Sequence, residues 1–271
     1  LALSDIPPEI QTADEVARSA NLFCYPQSTS GIVYYCLLGG IDQVSADLLP
    51  LIPFFCMSLA RMGTEKHDYV ELTRLLERYT GGVGFSAQAR TAYTETADCV
   101  SSVACFGKAL SRKQNKLFAL IEEILRQSDF SDLIRLKQLL GEYRAAQESS
   151  IVQNGHRLAI SLASRNLSST CALSEVWNGV HQLQFIREIT TTPDESQLKK
   201  ISRQLSEIAR TVFVRSNLKT GLIGENRNLP QAVEAVLGLE KNLPAPAVSG
   251  TDCFVSPLLE TGGEHPREGW S

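Results

Sequence analysis

The stretch Leu49-Pro50-Leu51-Ile52-Pro53-Phe54-Phe55-Cys56-Met57-Ser58-Leu59-Ala60-Arg61-Met62-Gly63-Thr64 decides how the rest of the chain is read. Leu51, Ile52, Phe55 and Leu59 recur at helical spacing and form one apolar stripe. Pro50 and Pro53 fit a first turn, where backbone N–H groups have no intrahelical partner. Gly63 is the stop signal, so the spacing predicts a helix over 50–61. The surrounding apolar run, 48–60, holds two prolines and a serine and falls short of the about 20 residues that span a bilayer. It is therefore a helix of a globular core, and no membrane partner is expected.

Working outward, residues 21–25 and 31–38 are rich in aromatic and β-branched residues and read as a strand pair across Pro26-Gln27-Ser28-Thr29-Ser30. Downstream, a helix over 68–79 runs into Gly81-Gly82, a tight helix-to-strand turn. Strands over 83–92 and 97–106 follow as an antiparallel pair, and Ser111 is expected to cap the next helix. From 131 to 210 the pattern is almost wholly helical. Leu133, Leu136, Leu140 and Tyr143 share a face over 132–153, and Val176, Val180, Leu183 and Arg187 mark a later one. Thr192-Pro193-Asp194-Glu195 reads as a helix start, with Thr192 as cap, Pro193 first and Glu195 in the capping-box place. A strand over 217–223 and a helix over 230–239 complete the pattern. The expected architecture is one α+β domain over 21–244, a mainly antiparallel sheet with helices on one face. An extended lead-in segment (1–20, with Ile6-Pro7-Pro8) precedes it, and an extended Pro/Gly-rich connector (245–271) follows. The start at Leu1 and the stop at Ser271 read as a piece of something longer.

Composition bounds the function. The 271 residues are 43% hydrophobic and 21% charged with a net charge of −4, an ordinary globular balance. No basic run exceeds Lys199-Lys200, so nucleic acid is not an expected partner. The seven cysteines include no C-x-x-C pair and read as free thiols in a reducing compartment, which makes Asn166-Leu167-Ser168 an accidental sequon. The four histidines show no metal-ligand spacing, Gly81-Gly82-Val83-Gly84 lacks the Lys-Ser/Thr of a phosphate loop, and no G-x-S-x-G occurs. Cys56 stands open as a nucleophile paired with a distant histidine, against packing as the simpler account.

Several collinear segments resemble the pitrilysin-type zinc metallopeptidases, and the third, noncatalytic domain of the presequence-protease subfamily in particular. They are Leu3-Ser4-Asp5-Ile6-Pro7, Thr29-Ser30-Gly31-Ile32-Val33-Tyr34, Leu49 to Cys56, Met62-Gly63-Thr64, Asp68-Tyr69-Val70-Glu71-Leu72, Glu77 to Gly82, Gly155-His156 and 179–189. The resemblance covers roughly residues 1 to 245. It implies a LuxS/processing-peptidase-like metallohydrolase fold. In that family zinc is bound in the first of four similar domains by H-x-x-E-H on a helix, with two His ligands, a Glu base and a distant Glu ligand. Aligning Gly63-Thr64 with the glycine that ends that helix sets the motif against Phe54, Phe55, Cys56, Met57 and Ser58. Phe54 and Ser58 take the ligand places and Met57 the base place, and none can do the original work. The third ligand would fall early in the helix over 132–153, where a lone Glu142 or Glu148 would not make a site. The scaffold is expected without a metal or cofactor of its own, zinc belonging to the parent's first domain, and no catalytic residue is assigned.

The resemblance further implies two halves closing around a chamber in which short unstructured peptides are cut, this piece supplying part of a wall. Its partners would be other domains of the same parent chain and peptide substrates, in cytoplasm or an organelle matrix. Tyr34 and Tyr35 on the first strand pair, with Phe85 and Tyr93 on the second, are the candidates for a peptide-facing surface, beside the alternative of core packing. Trp177 is expected in the core. Two other classes stay open: a stand-alone noncatalytic interaction subunit, and an unrelated hydrolase using Cys56 or a serine.

Overall fold

Alternation of buried and exposed residues builds the sheet. In β3 (Ile32–Gly40) Val33, Tyr35 and Leu37 are buried while Tyr34 is exposed; in β8 (Leu218–Gly224) Leu218, Thr220 and Leu222 are buried while Lys219 and Ile223 are exposed. A period of two puts one row on the core and the other on the opposite side. The computed structural model describes residues 15–17, 19, 21–92, 99–191 and 193–245. Most of the expected lead-in, including Ile6-Pro7-Pro8, and the connector from 246 onward lie outside the described residues, as do Tyr93, Cys253 and His265.

Six strands form one mixed, mainly antiparallel sheet in the order β1 (Val16–Ala17), β2 (Leu22–Pro26), β8, β3, β6 (Cys99–Leu110) and β5 (Val83–Thr91). The long pair β5–β6 is antiparallel as expected, with Phe85 opposite Cys105. The expected pairing of the first two strands is not formed. β8 lies between them, parallel to β2 and antiparallel to β3. The connection over 27–31 reaches across one intervening strand easily, since five residues extend beyond 15 Å or so and two strand spacings are about 10 Å. It turns through Ser30 and Gly31, at φ 51° and 77°. The late strand thereby gains backbone hydrogen bonds on both edges.

The helices cover one face. α3 (Gln114–Gln127) lies under β3 and β6: Tyr35 meets Phe118 edge-on at 5.3 Å. α8 (Leu229–Asn242) lies on the same side, where the Thr220 hydroxyl donates to Glu240 at 3.1 Å. α1 (Ile52–Leu59) runs beside β5, and Phe55 packs between Phe130 and Phe213 at 6.1 and 5.9 Å. α7 (Glu195–Val212) closes the layer with Leu198, Ile201, Leu205 and Ile208 buried. Trp177 is buried, and its indole N–H donates to the Leu49 carbonyl at 2.9 Å.

Several local signals act at other positions than expected. The apolar helix divides into a 3₁₀ turn over Ala46–Leu51, which takes Pro50, and α1 with Pro53 in its first turn. Gly63 is not a simple stop: Gly63–Thr64 (β4) pairs with Ser128–Asp129 (β7). α2 (Tyr69–Tyr79) is capped by Asp68, and Gly82 takes φ 124° in the turn that follows. Ser111 does not cap α3; it opens a 3₁₀ turn, and α3 begins at Gln114 without a side-chain cap. The cap of α7 is Asp194, whose carboxylate accepts from the Gln197 N–H at 2.7 Å, so Pro193 precedes the cap and Glu195 opens the helix. The helix expected over 132–153 extends as α4 (Leu133–Ser164), broken at Asn154, where two poor helix formers, Asn154 and Gly155, adjoin. The face through Val176, Val180 and Leu183 is divided between α5 (Ser169–Asn178) and α6 (Val180–Thr190).

Candidate functional site

The turn of α1 that aligns with the metal motif is packed solid. Phe54 is fully buried, its ring edge-on to Tyr143 at 5.6 Å, and the Tyr143 hydroxyl accepts from Gln182 Nε2 at 3.2 Å. The buried Ser58 hydroxyl donates back to the Phe55 carbonyl at 2.9 Å, and Met57 is half-buried against the core. The two candidate carboxylates on α4 are engaged elsewhere. Glu142 pairs with Arg61 at 3.3 Å, and Glu148 pairs with Arg187 and Arg144 at 2.9 and 3.2 Å. Hydrogen bonds from Arg187 and Arg144 hold Glu148 below the usual carboxylate range. Zinc has no fit here: an aromatic pair and a hydroxyl turned onto its own helix stand where donors would be needed. Among the described residues no group of three or more His, Cys, Asp or Glu is placed to hold a metal ion. Burial raises the Cys56 thiol far above its ordinary value, so it stays protonated at neutral pH and is a poor nucleophile.

The described histidines with polar partners are local fasteners. His67 Nδ1 lies 2.8 Å from Glu123 Oε1, which the Thr64 hydroxyl also reaches. His181 Nδ1 lies 3.0 Å from the buried Glu175. Glu175 also accepts from the N–H groups of Val180 and His181 and from the Ser161 hydroxyl, so one carboxylate caps the start of α6. Burial works against its charge, but these hydrogen bonds outweigh it and hold the group below the usual range. A Cβ on Gly179 would fall 1.7 Å from Glu175 Oε2, which is why glycine stands at the junction. The sequence reading missed this node because a continuous apolar period masks a break made by a side chain four residues earlier.

The second region is the sheet face opposite the helices. Register puts Tyr25, Ile223, Tyr34 and Lys108 in one row across β2, β8, β3 and β6. The next row holds Phe23, Gly221, Cys36 and Phe106. Together they line an open, largely apolar trough of about 800 Å³. Phe106, Tyr34 and Ile223 are 46%, 39% and 39% exposed, a cluster of large apolar side chains that monomers rarely leave bare. Gly221 and Cys36 make a shallow floor between the two phenylalanines. At the β1 edge the Tyr25 hydroxyl donates to Glu15 at 2.6 Å, and that bond raises its pKa to about 12.

Of the three described residues among those expected on a peptide-facing surface, only Tyr34 is placed on this face with its side chain exposed. Tyr35 points the other way into the core and is 2% exposed. Phe85 shares its row with buried Cys105 on the helix side, and Tyr93 lies outside the described residues. Phe23, Tyr25, Phe106 and Ile223 were missed. Alternation divides each strand into two rows, but which row faces outward and which rows align across strands follows only from the register.

A family model for the region associated with subfamily C of the M16 peptidases matches residues 1–189. The chain belongs to that family. This peptidase-associated chain is similar to presequence protease 1, chloroplastic/mitochondrial, of Arabidopsis thaliana, 28% identical over 90% of the chain and 23% of that protein. It is 29% identical to the mitochondrial presequence protease of Danio rerio over 87% of the chain, and 27% identical to protein HypA of Clostridium perfringens over 89%. It spans about a quarter of the length of these curated relatives. In fold it matches the crystal structure of a peptidase M16 inactive domain from Pseudomonas fluorescens, with a TM-score of 0.57 at 15% identity, covering 88% of this chain and 53% of that one. A conserved protein of Enterococcus faecalis matches with a TM-score of 0.58 at 10% identity, over 89% and 55%. The α+β class and the pitrilysin-type, presequence-protease resemblance read from the sequence stand on these likenesses. No described helix is long and apolar enough to cross a membrane.

Proposed function

We propose that this peptidase-associated chain acts as a noncatalytic domain of a larger zinc endopeptidase that degrades short unstructured peptides, and that its open sheet face is part of the wall against which those peptides lie. The observation that carries the reading is the bare apolar cluster of Tyr34, Phe106 and Ile223, on a sheet whose other face packs against helices. Support also comes from α1, whose metal-motif positions hold residues that cannot ligate or take a proton, and from relatives about four times as long that are named as proteases. The zinc would be supplied by another domain, and cleavage would not occur on this chain. The compartment proposed is an organelle matrix or the cytoplasm, following the relatives named as mitochondrial or chloroplastic.

The test is binding without cleavage. An unstructured apolar peptide is expected to bind the 271-residue chain, and Phe106→Ser is expected to weaken it about tenfold, the order of one interfacial aromatic. Ile134→Ser, at an exposed site on α4, is expected to leave it unchanged. Chelator-sensitive turnover by this chain alone, or equal binding by Phe106→Ser, contradicts the reading.

A further inference from the structure

Three positive charges gather on one ring where the end of α2 meets the start of α3. The Arg78 guanidinium carbon lies 5.2 Å from the centre of the Tyr79 ring, and the Lys113 and Lys116 ammonium nitrogens each lie 5.8 Å from it. Tyr79 is half-buried against the core, while Arg78 and Lys116 are exposed. An aromatic face attracts cations through its quadrupole but carries no net charge, so it holds the three groups without cancelling them. No described carboxylate oxygen comes within 4.0 Å of the charged nitrogens of Arg78, Lys113 or Lys116.

Most acids of the surrounding elements are engaged elsewhere. Glu71 on α2 pairs with Arg74 at 3.8 Å, and on α3 Glu122 pairs with Arg126 and Glu123 with His67, at 2.9 and 2.8 Å. Glu225, which accepts from the Gly31 N–H, is held by Arg227 at 2.7 Å. Glu77 on α2 and Glu234 on α8 make no ion pair with a described residue. Ordinary helix electrostatics accounts for one of the three cations. The Lys113 ammonium donates to the Arg78 carbonyl at 2.6 Å, which satisfies a carbonyl at the C-terminal end of α2. Lys116 stands three residues on from Lys113, a like-charge spacing that works against a helix, and the first turn of α3 holds no acid.

We infer that this cluster is a docking point for an acidic segment of polypeptide, its neighbouring carboxylates drawn to Arg78 and Lys116 while Lys113 stays on its carbonyl. Three charges within 5.8 Å of one point fit two or three adjacent carboxylates. A nucleic-acid backbone asks for a longer basic track, and the chain's net charge of −4 works against one. The chain spans about a quarter of its curated relatives, so in them most of the polypeptide that could supply such a segment lies outside the matched region. Charge complementarity of this kind discriminates among partners and weakens with salt. The inference does not depend on the open sheet face.

The experiment titrates the 271-residue chain with labelled Ser-Glu-Asp-Glu-Asp-Ser and its amide counterpart Ser-Gln-Asn-Gln-Asn-Ser. The acidic peptide is expected to bind about tenfold tighter, the preference shrinking between about 50 and 300 mM salt. Arg78→Gln and Lys116→Gln should each weaken it about threefold and together about tenfold, with circular dichroism confirming the fold of each. Lys200→Gln, which removes an exposed cation on α7, should change nothing. Equal binding of the two peptides, or undiminished binding by the double variant, overturns the inference. An excess of an uncharged apolar peptide should leave the acidic one in place; displacement would put both on the sheet face and overturn it. Displacement by inorganic phosphate at matched ionic strength would mark a small-anion site, and displacement by anionic but not neutral vesicles a membrane-surface site. Either result also overturns the inference.

Discussion

Tyr34 and Tyr35 are the same residue type one position apart, and they serve opposite faces of one sheet. Tyr35 lies against Phe118 in the core at 2% exposure, while Tyr34 stands 39% exposed on the opposite side of the same strand. The helix-covered face is filled to the point where glycine is needed for room. A Cβ on Gly107 would meet Leu117 and Ile121 at 3.1 and 3.0 Å. The open face leaves Gly84 with nothing within 4 Å. One sheet thus carries a face that holds the fold together and a face whose apolar surface contributes little to it. An exposed apolar row of this size is the surface that the proposed wall would present to a peptide.

The contrast is sharpest in stability. Tyr35→Ala is expected to cost about 3–5 kcal/mol, the range for emptying a buried aromatic site, as urea unfolding would measure. Equal stability of Tyr35→Ala and the wild type would break the division of faces. Gly107→Ala should cost about 1–2 kcal/mol because Leu117 and Ile121 must shift to admit the methyl group. The matching change on the other side, Gly84→Ala, is expected to stay within about 0.5 kcal/mol, and so is Tyr34→Ala. A large loss for either would mean that something covers the open face in the free chain.

The smallest effect concerns charge at the core side. Burial raises the Glu240 carboxyl above its ordinary value, opposed by the Thr220 hydroxyl and Arg215. A carboxyl raised on folding destabilises the fold above its folded pKa, and the penalty disappears as pH falls below its unfolded pKa. Glu240→Gln should therefore melt slightly higher than the wild type at pH 7, with the difference closing as the buffer is brought to about pH 4, near the ordinary carboxylate value. A Glu240→Gln advantage that grew on acidification would contradict the assignment.

Much of the fold was legible because its signals are local. The stripe Leu51, Ile52, Phe55 and Leu59, the turn at Gly81-Gly82 and the alternation of β8 each report one element and its buried side. What was not legible depends on residues far apart in the chain. The insertion of β8 between β2 and β3 joins segments nearly two hundred residues apart, and no period in either segment encodes it. The break at Gly179 is made by the Glu175 carboxylate, and α7 is capped by Asp194, whose oxygen reaches the Gln197 N–H, while Thr192 lies outside the described residues. The candidate surface was half legible for the same reason. Aromatic enrichment pointed to β3, but choosing Tyr34 over Tyr35 needs the face on which α3 docks. Finding Phe106 and Ile223 needs the register of three strands.

The most direct test is to find where a bound peptide lies. An unstructured peptide with a photoreactive benzophenone at its central apolar position would be irradiated on the 271-residue chain, and the adducts mapped by mass spectrometry. Adducts concentrated on Phe23, Tyr34, Phe106 and Ile223, and lost on competition with unlabelled peptide, are the predicted result. Adducts confined to the helical layer, or spread over the surface and indifferent to competitor, would contradict the claim that the open sheet face is where the peptide rests.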